Sequence, residues 1–387
     1  MRIMICDDTV QPLTAMVDSI QRLAPKGSAV ECLTGPAVSQ AAQDLERRRR
    51  SASGRHSEKP LEWGAHPFDQ VDLLFLDYNF VELENTNGLT GSRLAYLARC
   101  YSGCKFIVVL NQFGRNRFDL TLRDHPDTAA DLHLGSSQMD NPGLWGSNDW
   151  PDFRPWTWPV LPDAIARLER VTSQVSGNPD AQILQFLGLS NQIGAMPRSV
   201  RQFLVRDGMT FNKLVFESEA GFDDSDKPFD VSVVPRLAGA LVVKWLEHMV
   251  LSAQDVMVDF PRLLSRYPSL LTNATFESLK GKALTPDFLG KLVLQSDLEE
   301  HRFKKIDWLP KDAWFRHPLL SDDRIRENAD TAAPNTDLRF AEDSSRFIAK
   351  EEATGFVADL SSPFVQRFVR ANREAEVEYQ PQLRFAL

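Results

Sequence analysis

Val71-Asp-Leu-Leu-Phe-Leu-Asp77-Tyr-Asn-Phe80 is the stretch on which the reading of the fold turns. A short apolar run bounded by polar residues has the pattern of a strand buried on both faces of a parallel sheet. In open α/β sheets the ligand crevice lies at the carboxyl ends of the strands, so Asp77 stands where such a sheet does its chemistry. Outward from it, Met1-Arg-Ile-Met-Ile-Cys6 is a second apolar strand, and it ends in Asp7-Asp8. The three carboxylates are expected to converge at one edge of the sheet. Like charges held that close raise each other's pKa unless a cation joins them. An all-oxygen, carboxylate-rich cluster suits a hard ion such as Mg²⁺.

The alternation continues on both sides of these strands. Residues 12–24 carry Leu13, Met16, Val17, Ile20 and Leu23 at helical spacing, with Pro12 in the first turn. Ser28 to Leu33 is a short strand. Residues 36–50 are expected to form a helix ending in four arginines, Arg47 to Arg50, read as a solvated end whose charge suits the helix dipole. Ser51 to Pro67 is loop. After the central strand, Gly88-Leu-Thr-Gly-Ser-Arg-Leu-Ala-Tyr-Leu-Ala-Arg99 is a glycine-punctuated turn entering a helix that Thr90 or Ser92 can cap. Lys105 to Leu110 is a fourth strand, followed by Asn111, and Ala129 to Leu134 is a weaker fifth. Residues 135–159 hold four tryptophans among Gly, Pro, Asn and Asp and form an irregular insertion, before a helix over Leu161 to Val171. Strands alternating with helices imply an α/β fold: a doubly wound, parallel, five-stranded sheet over residues 1–174.

With these residues in place, the first part resembles the receiver (CheY-like) domain of two-component response regulators. Asp7 and Asp8 stand where that family keeps its acidic metal-binding pair, and Asp77 where it keeps its phospho-accepting aspartate. Gly88 and Gly91 match its G-x-x-G turn. Asn111 occupies the place of its Ser/Thr switch residue. Arg154-Pro155-Trp156 resembles its Lys-Pro-Phe, with Arg154 in place of lysine. The resemblance implies Mg²⁺ at Asp7, Asp8 and Asp77, and phosphate acceptance on Asp77 from a histidine kinase or a related ATPase partner. The family's phosphate-binding lysine has no counterpart, because no lysine occurs between Lys105 and Lys213. Arginine is a planar fork rather than a point donor, so the exchange is not conservative. Two versions stay open: a working phosphoryl acceptor, and a pseudo-receiver that only binds.

Residues 175–387 are read as a second, mainly α-helical output or interaction domain, joined at Ser176 to Asp180. Short helices are expected over Ala181 to Leu189 and Pro197 to Val205, and an acidic solvated turn at Phe222 to Asp226. Val234 to Leu251 is the longest apolar helix and the expected centre of the second core, with Lys244, Glu247 and His248 on or near its polar face. Further helices are expected from Asp255 to near Pro268, over Phe288 to Leu298, and over Phe347 to Phe368 with a break at Asp359 to Phe364. His301 to Leu320 interleaves Phe303, Trp308, Trp314 and Phe315 with basic residues, a pattern that serves base stacking or an irregular docking segment.

Composition bounds the rest. The 387 residues are 43% hydrophobic and 25% charged, ordinary for a soluble globular chain, and the formal net charge of −9 argues against a protein that coats nucleic acid. Four cysteines without a CxxC pair point to free thiols and a reducing compartment; Cys6 and Cys32 read as inert core residues, and Cys100 and Cys104 as turn residues. Neither a signal peptide nor a membrane span of about 18 apolar residues is expected, so the location expected is cytoplasmic. Three functions follow. The first is a regulatory protein with a receiver-like module, working in a multi-protein regulatory or defence complex. The second is an Mg²⁺-dependent phosphatase or nuclease on the same carboxylates, against which Asn79 stands where one phosphatase family would need aspartate. The third is a nucleic-acid effector acting through the C-terminal half.

Overall fold

The computed structural model describes residues 1–8, 13–52, 63–80, 89–111, 128–135, 139–146, 159–204, 208–217, 232–251, 254–266, 270, 276–281, 295–325, 338–341, 344, 346–356 and 367–370. Five parallel strands form the first sheet: β1 (Arg2–Asp7), β2 (Ala29–Thr34), β3 (Leu73–Asp77), β4 (Phe106–Asn111) and β5 (Leu132–Gly135), in the order β2-β1-β3-β4-β5. Between them run α1 (Leu13–Leu23), α2 (Pro36–Ala52) and α3 (Gly91–Tyr101), and α4 (Leu161–Ser176) follows β5.

The period-two alternation of the strands sorts the core into two layers. Ile3, Ile5, Leu73, Phe75, Val108, Leu110, Leu132 and Leu134 face one way, onto Ile20 of α1 and Leu161, Ile165 and Leu168 of α4. Met4, Cys6, Leu74, Leu76, Ile107 and Val109 face the other way, onto Val38 and Leu45 of α2 and Leu94 and Leu97 of α3. Burial on both faces explains why the central strands read as continuous apolar runs. β2 is an edge strand with half of its residues exposed and none fully buried, and Cys32 on it is exposed rather than a core residue. Cys100 lies in α3, not in a turn. Arg48 is not a solvated helix end either. It is buried, pairs with both oxygens of Asp69 at 2.8 Å, donates to Tyr101 O at 2.8 Å and lies over the Trp63 ring. A fixed planar fork matched to a carboxylate makes such burial tolerable.

The second part adds helices, among them α5 (Ile183–Phe186), α6 (Arg198–Leu204), α7 (Phe211–Glu217) and α8 (Val234–Lys244), the last continuing into a π-helical segment, Trp245–Leu251. It also adds strands where helix was expected. Met257–Asp259 pairs antiparallel with Ala313–Phe315, and helix begins only at Phe260. The reason is local: Gln254 has a positive φ of 54°, which stops helix before the β-branched run, and Asp259 then caps the next helix by accepting from Arg262 N at 3.2 Å. Over 346–370, the expected helix is replaced by strands Arg346–Ala349, Ala353–Phe356 and Arg367–Arg370, which join Leu338–Ala341 in a four-stranded sheet. Pairing with distant segments decided what the local pattern left ambiguous. Of the helix expected over Phe288 to Leu298, the described part is helical from Gln295 to Glu300.

The two parts share a core. The layer beneath α2 and α3 is continuous with Leu237, Leu241 and Trp245 of the α8 region. Arg236 donates to the carbonyls of Cys104 (2.7 Å) and Arg99 (3.1 Å), and to that of Ser102. Lys244, expected on a polar face, is buried and donates to Ala130 O (2.8 Å) and Thr128 O. His248 is buried as well, and Glu247 pairs with Arg167 of α4 at 2.6 Å. Among the described residues, no helix is long and apolar enough to cross a membrane.

Candidate metal centre

The strand order places the site. Connections from β1 lead to one side, to β2, and those from β3 to the other, to β4. The chain therefore parts between the carboxyl ends of β1 and β3 and leaves a crevice there. Asp7 is the last residue of β1, Asp8 follows it, and Asp77 is the last residue of β3; Cys6 and Leu76 are in register just inside. One oxygen from each of the three carboxylates lies within 4.8 Å of the other two. All three residues are half-buried.

This arrangement raises the proton affinity of Asp77 to a pKa of about 6. Burial is the largest cause, and the negative charge of Asp7, with a smaller share from Asp8, adds to it. Backbone N–H groups of Asn79 and Tyr78 act in the opposite direction; Asn79 N donates to Asp77 Oδ2 at 3.3 Å. Hard oxygen donors on three adjoining side chains fit a small divalent cation such as Mg²⁺.

The turn after Asp77 is held against α3. Gly91 N donates to Tyr78 O at 2.8 Å, and Asn79 bridges to Thr90. Thr90 caps α3, its hydroxyl accepting from Arg93 N at 3.2 Å. A Cβ on Gly91 would lie 2.2 Å from the backbone oxygen of Asp77, so only glycine permits this approach. The G-x-x-G spacing marked the glycine. That it lets helix and strand-end touch is a role the spacing did not reveal.

The other expected site residues are placed as follows. Asn111 ends β4 opposite Gly135, and its neighbour Leu110 is in register with Asp77, so its backbone shares the aspartates' sheet edge. Arg154 and Gly88 lie outside the described residues. Lys105 is at the other end of β4, paired with Asp72 at 2.8 Å and Glu169 at 2.5 Å. In the C-terminal part, Phe303, Trp308 and Trp314 are buried. Trp308 packs on Phe211 and Phe186, and Trp314 on Phe260, so these rings are not presented to bases. No protein-family model matches the chain, and neither the curated proteins nor the solved structures yield a match.

Proposed function

We propose that this chain is a regulatory protein whose first part, residues 1–174, works as a receiver-like module with Mg²⁺ held by Asp7, Asp8 and Asp77. The observation that carries this reading is the approach of the three carboxylates to within 4.8 Å at the parting of β1 and β3. On this reading Asp77 is the group a phosphodonor would modify. Its carboxylate is the nucleophile, and the Asn79 N–H orients it. Bound Mg²⁺ supplies charge neutralisation to phosphoryl oxygens. Asn111 takes the switch position and Arg154 stands in for the family's lysine. With no lysine between Lys105 and Lys213, we favour the version in which the module binds more than it turns over. Residues 175–387 then carry the output or dock a larger cytoplasmic regulatory or defence complex, and a histidine kinase or related ATPase is the partner.

The test is calorimetric titration of the full chain with Mg²⁺, alone and with beryllium fluoride. Mg²⁺ binding that Asp77→Asn removes supports the metal centre. Beryllium fluoride bound only in the presence of Mg²⁺ assigns a working acceptor, and its failure beside intact Mg²⁺ binding assigns the pseudo-receiver. Absence of Mg²⁺ binding at millimolar concentration overturns the reading. Turnover of a generic phosphate ester, lost in Asp77→Asn, would replace it with a phosphatase.

A further inference from the structure

α3 touches the aspartate site with one end and the second part of the chain with the other. At its start, the N–H of Gly91 donates to Tyr78 O at 2.8 Å, and a Cβ on Gly91 would overlap the backbone oxygen of Asp77. Along its length Leu94, Leu97, Ala98 and Tyr101 are buried, so the helix can shift only as a unit. Just past its end, Gly103 N donates to Asp69 Oδ1 at 3.2 Å, and a Cβ on Gly103 would overlap the backbone oxygen of Asp69. The helix spans about 16 Å, with close backbone contact at both ends.

The far end of α3 is held from α8. The last carbonyls of a helix have no partner within it. Here Arg236, in the first turn of α8, donates to Arg99 O at 3.1 Å, to Cys104 O at 2.7 Å and to Ser102 O. Its charge suits the negative end of the α3 dipole. Arg99 itself donates to Ala129 O at 3.3 Å and pairs with Asp131. Lys244, at the other end of α8, donates to Ala130 O at 2.8 Å and to Thr128 O. α8 therefore grips the end of α3 with its first turn and the lead into β5 with its last. Arg236 is a costly way to join two helices. Burial and the charge of Arg99 push its pKa down to about 10. Among the described residues it pairs with no carboxylate, and its buried Nε has no hydrogen-bond partner. An apolar contact of similar volume is often as stable or more so, and buried ions are best attested where they set register or a switch.

We propose, resting on the metal centre above, that α3 links the two parts of the chain, so that occupancy of the aspartate site is read at Arg236 and passed to α8. With the charge on Asp77 answered, the backbone of Asp77 and Tyr78 settles, and α3, joined to both, shifts with it. The shift changes the grip of Arg236 on the carbonyls at the far end. Coupling of this kind is reciprocal, so loosening that grip weakens metal binding in turn.

The experiment is amide hydrogen exchange of the full chain in EDTA and in saturating Mg²⁺, with Mg²⁺ affinity measured by calorimetry on the same preparations. Exchange over Val234–Lys244 should slow about fivefold or more in Mg²⁺. It should slow more than over Phe260–Arg266, which lies in a separate apolar cluster. Equal slowing in both is what ligand stabilisation of the whole fold produces, and it would overturn the proposal. Arg236→Gln leaves no carboxylate buried alone. It should fold, by circular dichroism, lose the Mg²⁺ dependence of exchange over Val234–Lys244, and bind Mg²⁺ about fivefold or more weakly. Arg170→Gln breaks a different link between the parts, the pair with Asp307, and should keep both properties. The proposal fails if folded Arg236→Gln binds Mg²⁺ as tightly as the wild type, or if Arg170→Gln has the same effect as Arg236→Gln. Should Arg236→Gln not fold, the wild-type comparison of the two segments decides by itself. A wild type that binds no Mg²⁺ defeats the metal centre and this coupling together; Mg²⁺ binding with exchange in α8 unmoved defeats the coupling alone.

Discussion

Asp77 is where the stability of this protein and its proposed function oppose each other. Its carboxyl takes up a proton at a pH of about 6 in the folded chain, against an ordinary value of 3.8. Between those values the folded chain binds more protons than the unfolded one. The stability this gives the metal-free protein is therefore present at low pH and is lost as pH rises through about 6. Asp77→Asn removes both the repulsion and the titration. In EDTA at pH 7 the variant should melt at a higher temperature than the wild type, and its melting temperature should lose the fall between pH 4 and 6. In Mg²⁺ the order should change: the wild type gains stability by ligand linkage, and the variant does not. Melting curves across pH, with and without the metal, check all three outcomes. An unchanged pH profile in the variant would show that the proton affinity of Asp77 is not raised in the folded chain.

At the scale of elements, the junction of β3 with α3 sets the geometry of the site. The strand delivers Asp77, the N–H of Gly91 ties the helix to Tyr78 O, and Thr90 fixes where the helix starts. Gly91→Ala puts a methyl group into the space of the Asp77 carbonyl, which a hydrogen there leaves open. The backbone must shift, and a cost of about 1–3 kcal/mol is expected from such overpacking. Because the displaced atom belongs to Asp77 itself, Mg²⁺ affinity should fall with stability. Denaturant unfolding and metal titration on the same preparation test the pair; loss of stability with unaltered affinity would separate the helix from the site. The contact of α4 with α8 uses a similar device. A Cβ on Gly239 would lie 2.9 Å from Val171 Cγ1, so a small residue sets how closely these helices meet.

For the whole molecule, the shared core is the consequential feature. Arg236 and Lys244 reach from α8 to carbonyls of the first part, and the apolar layer under α2 and α3 runs on into the α8 region. Trp308 donates to Gln174 at 2.8 Å, and Arg170 pairs with Asp307 at 2.6 Å, so later segments also fasten α4. Removing residues 175–387 would expose that layer and leave the carbonyls of Thr128 and Ala130 without Lys244. We therefore expect residues 1–174 alone to be insoluble or only partly folded. The contacts joining the parts predict a single calorimetric transition for the full chain, with agreeing calorimetric and van't Hoff enthalpies. Two resolved transitions, or a stable and soluble 1–174 fragment, would contradict this.

The amino-acid sequence by itself determined the five strands, their parallel alternation with helices and the convergence of Asp7, Asp8 and Asp77. Those features are written in local patterns: apolar runs of strand length, helical spacing between them, and carboxylates at strand ends. The tertiary structure alone decided the rest. Arg48, Lys244 and His248 look like surface residues in their own segments, and their burial depends on partners 16 to 116 positions away or on packing between elements. The strands over 346–370 exist because they pair with Leu338–Ala341 and with each other, and short apolar segments carry too little period to distinguish strand from helix alone. The cleft lined by Phe106, Leu132, Leu168 and Ala240, made by α4, α8 and the starts of β4 and β5 together, has no signature in any one of them. Local periodicity encodes what a segment is; which distant groups it will answer is settled only when the chain has closed on itself.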